Sequence, residues 1–195
     1  MIKKGIFISI AVIIVAGTAV FAYFRTTIKT PTSTTTTIFS KLQELKRSAP
    51  FPILIPTYIP EGRHYRIEVP KDGQSNDTVG FSLIPDDPMY PQGTKMDIFQ
   101  SKIDRQFLID HNDWDPATGW PRSIAPRIGE TPIQVGDHLG YLDTPGENVS
   151  LKYKQGDIII GAYIHSSFPI LRSSADSPVL GPLIRDLTAI VASMK

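Results

Sequence analysis

An uncharged run from Gly5 to Phe24 is the longest apolar stretch in the hydrophobic pattern of the chain. An α-helix rises about 1.5 Å per residue, so a helix of this length matches the ~30 Å hydrocarbon core of a bilayer. A cleavable signal peptide is the alternative interpretation, but its apolar core is only about 7 to 15 residues long. The pattern therefore favours an uncleaved transmembrane signal anchor over residues 5–24, preceded by a short head of residues 1–4.

The charges that flank this run bear on its orientation. Lys3 and Lys4 favour a cytoplasmic head by the positive-inside rule, whereas Arg25 and Lys29 oppose it. A large domain behind a short basic head is most simply exported, so we expect the head in the cytoplasm and the C-terminal domain outside. Residues 25–37 are rich in threonine and carry no apolar pattern, which predicts an extended linker.

The remaining residues, 38–195, are predicted to form one extracytoplasmic domain that begins with a short helix and an extended segment. Residues 39–49 place Leu42 and Leu45 on one helical face and lysines on the other, and a proline ends the pattern. Residues 50–62 hold an apolar patch between prolines, which lack the N–H donor that a central strand needs. We therefore predict an extended edge piece that buries its aliphatic side chains.

Alternation of apolar and polar residues predicts strands along most of the rest of the domain. A clear example places Val149, Leu151 and Tyr153 on one face. The segments with strand patterns are 63–69, 78–84, 95–102, 133–135, 138–143, 149–154 and 157–165. A broad apolar stripe that includes Leu183 and Leu187 then predicts a C-terminal amphipathic helix. The expected fold class is therefore α+β, with a meander-like antiparallel sheet of about six strands and the C-terminal helix packed on one face.

Composition narrows the classes of function. The chain has no cysteine, which excludes disulfides, thiolate metal sites, a cysteine nucleophile and a lipoprotein anchor. Four of its 20 lysines and arginines precede Thr30, which leaves 16 basic and 19 acidic residues in the rest of the chain. A nucleic-acid partner requires a concentrated basic surface, so none is expected.

Several short motifs of the domain form a recognisable set. They are Pro50-Phe51, the run Pro56-Thr57-Tyr58-Ile59-Pro60-Glu61-Gly62, Ile98-Phe99-Gln100, His138-Leu139-Gly140-Tyr141-Leu142 and the closing Ala192-Ser193-Met194. In these motifs the chain resembles a bacterial family of unknown function, found in the extracytoplasmic parts of anti-sigma-factor-like and sporulation membrane proteins. The resemblance implies an extracytoplasmic binding or sensing module over residues 50–195 and offers no catalytic residues. Because only four residues precede the predicted span, the cytoplasmic sigma-binding domain of anti-sigma proteins is not expected.

The densest polar cluster, residues 110–120, supplies the candidate ligand-binding residues Trp114, Trp120, Asp113 and Asp115. These residues lie in the longest region without clear strand periodicity, and long irregular segments of compact domains are often functional. Two aromatic rings there suit stacking on a sugar or a peptide. The competing interpretation is that the two tryptophans cover an open edge of the core.

The same cluster holds candidate metal ligands in Asp110, His111, Asp113 and Asp115. A calcium loop is not matched, because Trp114 stands at the fifth position and the glycine of the sixth position is missing. A solvated acidic turn is the favoured interpretation, so we expect no metal and no cofactor.

The sequence contains no G-x-S-x-G motif and no other assembled catalytic set, so an enzyme is not expected. The favoured hypothesis is a membrane-anchored module that binds or senses a protein, a peptide or an envelope component, with another envelope or membrane protein as its partner. A carrier of an apolar ligand, held in a cavity between sheet and helix, is the first alternative. An envelope hydrolase that uses residues 110–120 is the second.

Overall fold

Nine strands and three helices make up the part of the chain that the computed structural model describes, residues 33–60, 63–70, 75–88, 90, 93–144, 149–165 and 180–195. The helices are α1 (Ser33–Ser48), α2 (Arg105–Asp110) and α3 (Leu180–Ala192). The strands are β1 (Tyr65–Glu68), β2 (Thr78–Pro85), β3 (Lys95–Lys102), β4 (Trp114–Asp115), β5 (Trp120–Pro121), β6 (Thr131–Val135), β7 (His138–Asp143), β8 (Val149–Gln155) and β9 (Ile158–His165). Residues 34–195 form one compact unit.

Seven of the strands form one antiparallel sheet in the order β1-β2-β3-β9-β8-β7-β6. It consists of a three-stranded and a four-stranded meander, joined where β3 pairs with β9. The predicted α+β class with an antiparallel sheet is confirmed, but the sheet has seven strands instead of about six. The two edge strands, β1 and β6, contain only four and five residues, and strands this short give weak alternation patterns.

The pleat of the sheet separates two faces, because successive side chains of a strand point to opposite sides. On the face that we call the inner face, alternate residues of the central strands are buried. Phe81, Ile98 and Ile160 are examples, and each is at most 1% exposed. Helices α1 and α3 contribute side chains to the same apolar core. The C-terminal helix therefore lies on one face of the sheet, as predicted.

Helix α1 begins at Ser33 and not at Phe39, so the last residues of the predicted linker, 33–37, are helical instead of extended. The buried stripe of the helix includes Leu42 and Leu45, as predicted, but it starts one turn earlier, at Ile38. Packing of this stripe against the sheet outweighs the weak helix propensity of the threonines.

Residues 50–60, here called the strap, follow α1 and bury Ile53, Ile55 and Ile59 in the inner core. The strap is extended and buries its aliphatic side chains, as predicted, but it does not join an edge strand of the sheet. It pairs instead with residues that follow α3. The N–H of Ile55 donates to the C=O of Lys195 at 3.2 Å, and the N–H of Lys195 donates back at 3.1 Å.

Gln100 fastens the strap to the middle of the sheet. Its side chain lies on the inner face of β3 with 0% exposure. The carboxamide accepts a hydrogen bond from the N–H of Leu54 and donates one to the C=O of Leu54, both at 2.7 Å. A buried backbone N–H or C=O needs a hydrogen-bond partner. Here the side-chain amide of Gln100 provides the donor and acceptor that a neighbouring strand provides within a sheet.

Three of the motifs noted in the sequence meet at the strap. The Oγ of Ser193 lies 3.2 Å from the backbone N of both Thr57 and Tyr58, and Gln100 holds Leu54. These contacts seal the inner core, so the motif residues that make them have a structural role.

Two tyrosines tie the sheet to α3 through their hydroxyl groups. Tyr153 donates to the C=O of Val191 at 3.3 Å, and burial raises the pKa of Tyr153 to about 12, so the hydroxyl keeps its proton. Tyr65 donates to Asp186 at 2.8 Å, and burial together with this carboxylate raises the pKa of Tyr65. Arg63 pairs with the same carboxylate at 3.3 Å, which compensates its charge.

The predicted transmembrane span, residues 5–24, lies outside the described residues. Within the part of the chain that is described, no helix combines the length and the apolar character needed to cross a membrane.

We predict that Gln100→Ala lowers the free energy of unfolding by about 2 to 4 kcal/mol, because it leaves a cavity and removes both partners of the Leu54 peptide groups. Urea denaturation of the variant measures this loss. The matched control is Gln43→Ala, since Gln43 is exposed on α1 and its loss should change stability little. Equal losses in the two variants would contradict a fastening role for Gln100.

Candidate functional site

The outer face of the sheet, opposite the helices, is only partly covered. Residues 103–130, here called the crossover segment, connect β3 to β6 and lie against it. Ile103 and Trp120 of this segment pack on Ile159 of β9 and form a second, small apolar cluster. Among the described residues, the rest of the outer face carries no helix. Depressions lie beside the crossover segment and also beside β1, where Ser82, Asp97 and Phe99 line one of about 670 Å³.

The two candidate tryptophans sit at the base of the crossover segment, on the strands β4 and β5. Trp120 is 7% exposed and meets the ring of Tyr141 edge to face, with 6.2 Å between ring centroids. Trp114 is half-buried between two cations, with the guanidinium of Arg105 at 5.2 Å and the ammonium of Lys154 at 5.8 Å from its ring centroid. Both rings thus hold the segment to the sheet by packing and cation–π contacts.

The two candidate aspartates hold turns of the same segment. Asp113 accepts hydrogen bonds from the backbone N–H and the hydroxyl of Ser123, at 2.8 and 2.7 Å. Asp115 accepts from the hydroxyl of Thr118 at 2.8 Å and from the N–H of Ala117 at 3.0 Å. These bonds favour the ionised form and lower the pKa of Asp115.

The other residues considered as metal ligands are also engaged locally. Asp110 accepts from Gln106 at 2.8 Å, and Nδ1 of His111 lies 2.8 Å from the C=O of Phe107. The ring of His111 stacks on that of Phe107, with 3.9 Å between centroids. Among the described residues, no three His, Asp or Glu side chains converge in a way that suits a metal ion.

A cleft of about 480 Å³ lies between the crossover segment and the outer face of β3, β9 and β8. Its aromatic and apolar lining includes Phe99, Tyr163 and Ile124, and the backbone of Gly161 lies between them on β9. A second cavity of about 310 Å³ adjoins it, since both are lined by Ile124. Of the four predicted site residues, Asp113 lines this second cavity.

A nearly buried ion pair forms one side of the cleft. The ammonium of Lys152 lies 2.6 Å from Oε1 of Glu130, and the two side chains are 19% and 6% exposed. The same ammonium donates to the C=O of Ala125 at 3.1 Å, which fixes its position. The second carboxylate oxygen, Oε2 of Glu130, is buried and accepts no hydrogen bond from any described residue. A buried acceptor without a donor is costly, so this atom calls for a donor from a ligand or from water.

Two further charges line the cleft. Arg127 and Asp143 have opposite signs, and neither forms a salt bridge with another described residue. Because Lys152 and Glu130 neutralise each other, the formal charges of these four side chains cancel.

A separate polar cluster lies on the outer face beside Phe99. Asp97, whose side chain is 6% exposed, pairs with Lys95 at 2.9 Å and with Nε2 of His165 at 3.3 Å. The hydroxyl of Ser82 also donates to Asp97. Since Ser82 bonds to the carboxylate and not to the imidazole, it lacks the adjacent base that activates a serine nucleophile.

Glu130, Lys152 and Tyr163 carry no motif or pattern that marks them as site residues in the sequence, and Phe99 stands out only as the middle residue of the Ile98-Phe99-Gln100 motif. Lys152 alternates with the buried residues of β8, which indicates its face but not its partner. Glu130 is distant from it in the sequence, and only the path of the crossover segment brings the two together. Glycines inside strands, at positions 80 and 161, are the local signals of a close approach that the sequence contains.

Comparisons with protein-family models, with curated proteins and with solved structures find no match to this chain. The family resemblance of its motifs therefore stays a prediction.

For Asp115 we predict a pH-dependent contribution to stability, measured as the difference in unfolding free energy between the wild type and Asp115→Asn. The folded-state pKa of Asp115 is lowered below its ordinary value of 3.8. Its contribution is therefore fully present above about pH 5 and is lost as the pH falls below 3.8 through the lowered value. If the difference in unfolding free energy stayed constant down to about pH 2, the assignment of the lowered pKa to Asp115 would be wrong.

For the ion pair in the cleft we predict that Lys152→Met lowers the free energy of unfolding by about 3 to 5 kcal/mol, because it leaves the buried Glu130 carboxylate uncompensated. The double variant Lys152→Met, Glu130→Leu should lose less, since it leaves no charge unpaired. Urea denaturation of both variants tests the pair, and a double variant less stable than the single one would count against it.

Proposed function

We propose that this chain is a membrane-anchored module that binds a component or a protein of the bacterial envelope through the outer-face cleft. The observation that carries the proposal is the contrast between the two faces of the sheet. The inner face is filled by side chains such as Leu83 and Ile164, at 0% exposure, whereas the outer face has a cleft of about 480 Å³.

The composition of the cleft suits the binding of a ligand. Its volume falls within the range of about 300 to 1,000 Å³ that small-ligand sites occupy. Such sites combine apolar walls with a few fixed polar groups, and here Phe99 and Tyr163 stand beside the Lys152–Glu130 pair. The buried Oε2 of Glu130 adds an acceptor that the described protein groups leave unsatisfied.

The hydrophobic pattern supports the placement of the module at a membrane. The uncharged run from Gly5 to Phe24 has the length of a bilayer span, and Lys3 and Lys4 favour an N-terminus in the cytoplasm. The domain would then face the envelope, with a partner there or in the membrane plane.

The two alternative functions receive less support. A carrier of an apolar ligand requires a cavity between sheet and helix, whereas the described side chains of the sheet, α1 and α3 pack there into one buried core. An envelope hydrolase that uses residues 110–120 requires reactive groups that are available. Asp110, His111, Asp113 and Asp115 instead hold the local turns.

We expect a photo-crosslinking side chain at Tyr163 or Ile124, which are 38% and 40% exposed, to yield an adduct of discrete mass when the full chain is in its bacterial membrane. The adduct at Ile124 should disappear when Tyr163→Ala is added, because that change removes one wall of the cleft. Gel mobility and mass spectrometry of the purified chain measure the adduct.

The control position for this experiment is Gln43, which is exposed on α1 and does not line the cleft. Adducts of the same mass from Gln43, or none from either cleft position, would rule out the cleft as the binding site.

A further inference from the structure

Resting on the proposed function of the cleft, we propose that its ligand is a saccharide. In this proposal one sugar ring stacks on Tyr163, and a hydroxyl or amide N–H of the sugar donates to Glu130.

The first support is the position of the Tyr163 ring, which lies flat on the backbone of the sheet. A Cβ atom at Gly161 would lie 3.2 Å from Cε2 and 3.3 Å from the hydroxyl oxygen of Tyr163, so any larger residue there would push the ring outward by a few tenths of an ångström. One side of the ring is thus covered by β9. The ring also lines the cleft and is 38% exposed. The ring of His165 lies nearly parallel to it, with 6.1 Å between centroids and 23° between planes, so part of the Tyr163 ring remains accessible from the cleft.

The second support is the rigidity of this platform. Phe99 is the cross-strand neighbour of two glycines, Gly80 on β2 and Gly161 on β9. A Cβ atom at Gly80 would collide with the Phe99 ring, so this ring also lies against the sheet. The rings of Phe99 and Tyr163 meet edge to face, with 6.2 Å between centroids. Two rings that fix each other lose little further freedom when a ligand binds.

The third support is the arrangement of polar groups around an apolar platform. A pyranose ring presents C–H groups on its faces and hydroxyl groups at its rim. The C–H faces suit the negative face of an aromatic ring, and the hydroxyl groups need hydrogen-bond partners. The cleft offers Glu130, whose Oε2 lacks a donor, together with Arg127 and Asp143.

The balance of charges favours a ligand without a large net charge. Lys152 and Glu130 neutralise each other, and Arg127 and Asp143 have opposite signs. A strongly anionic or cationic polymer needs a cleft of the opposite charge, which this one does not have. A neutral saccharide has no such requirement.

A peptide fits the same cleft less well. An extended peptide binds by adding a strand to an open sheet edge, but β3, β9 and β8 are each paired on both sides. A helical peptide requires a continuous apolar groove. The lining of this cleft includes Ser101, Ser123 and Ser150 as well as the four charged side chains.

The test uses the full chain in lipid nanodiscs, without glycoside detergents, whose head groups are themselves sugars. The probes are the β-1,4-linked tetramers of glucose and of N-acetylglucosamine. We expect saturation-transfer NMR to detect binding of at least one probe, with Kd of about 1 mM or tighter. The signal should be strongest on the C–H protons of a single sugar ring.

Variants of the cleft locate the binding. Tyr163→Ala should weaken it at least about tenfold, and Tyr163→Phe, which keeps the ring, should change it less than about threefold. Glu130→Gln should weaken it at least about fivefold, because it replaces the acceptor with a donor. The control Tyr58→Ala removes an exposed ring, 45% accessible, that does not line the cleft, and should leave the affinity unchanged. Thermal melting of each variant confirms that it is folded.

Two outcomes overturn the saccharide proposal. One is the absence of saturation transfer from both probes up to about 10 mM, well above the expected Kd. The other is binding that Tyr163→Ala leaves unchanged. If the probes fail while the cleft positions still form a crosslinked adduct that protease removes, the ligand is a peptide or protein. In that case the proposed function of the cleft stands and the saccharide assignment falls.

Discussion

A buried backbone peptide group without a hydrogen-bond partner costs more free energy than most single contacts provide. At Leu54 the strap places a peptide group against the core, where it needs a partner. The side chain of Gln100 satisfies both its N–H and its C=O. Held at this point, the strap can cover the inner face with its isoleucines and reach the residues beyond α3. The two long helices and the strap are therefore all committed to one side of the sheet.

That commitment decides what the other side becomes. Of the described residues, the crossover segment is what covers the outer face, and the side chains of this face must be compatible with partial exposure. Glycines at 80 and 161 allow two aromatic rings to lie flat on the strands, and the Lys152–Glu130 pair attaches the crossover segment next to them. The cleft thus results from the packing of α1, α3 and the strap on the inner face as much as from the residues that line it.

The fold could be predicted further than the site because the two depend on different kinds of information. Alternation in β2, β3, β8 and β9 marks the inner face locally, and the stripe of α3 marks its partner, so class and sheet followed from the sequence. The start of α1 could not be predicted in this way, because it depends on the packing of Ile38 in the core. Trp114 and Trp120 are aromatic and lie in an irregular segment, but their rings are held by Arg105, Lys154 and Tyr141. No local pattern reports such pairings between distant segments, and the meeting of Glu130 with Lys152 is of the same kind.

The closure of the strap by residues 193–195 joins positions 136 residues apart at Thr57 and Ser193. A ribosome delivers the strap long before its partners, so Ile53 and Ile55 stay uncovered while the strands and α3 are still being made. Contacts across such a separation form late, since their entropic cost comes before any stabilisation. A nascent domain of this design would therefore present its apolar strap to chaperones throughout most of its synthesis.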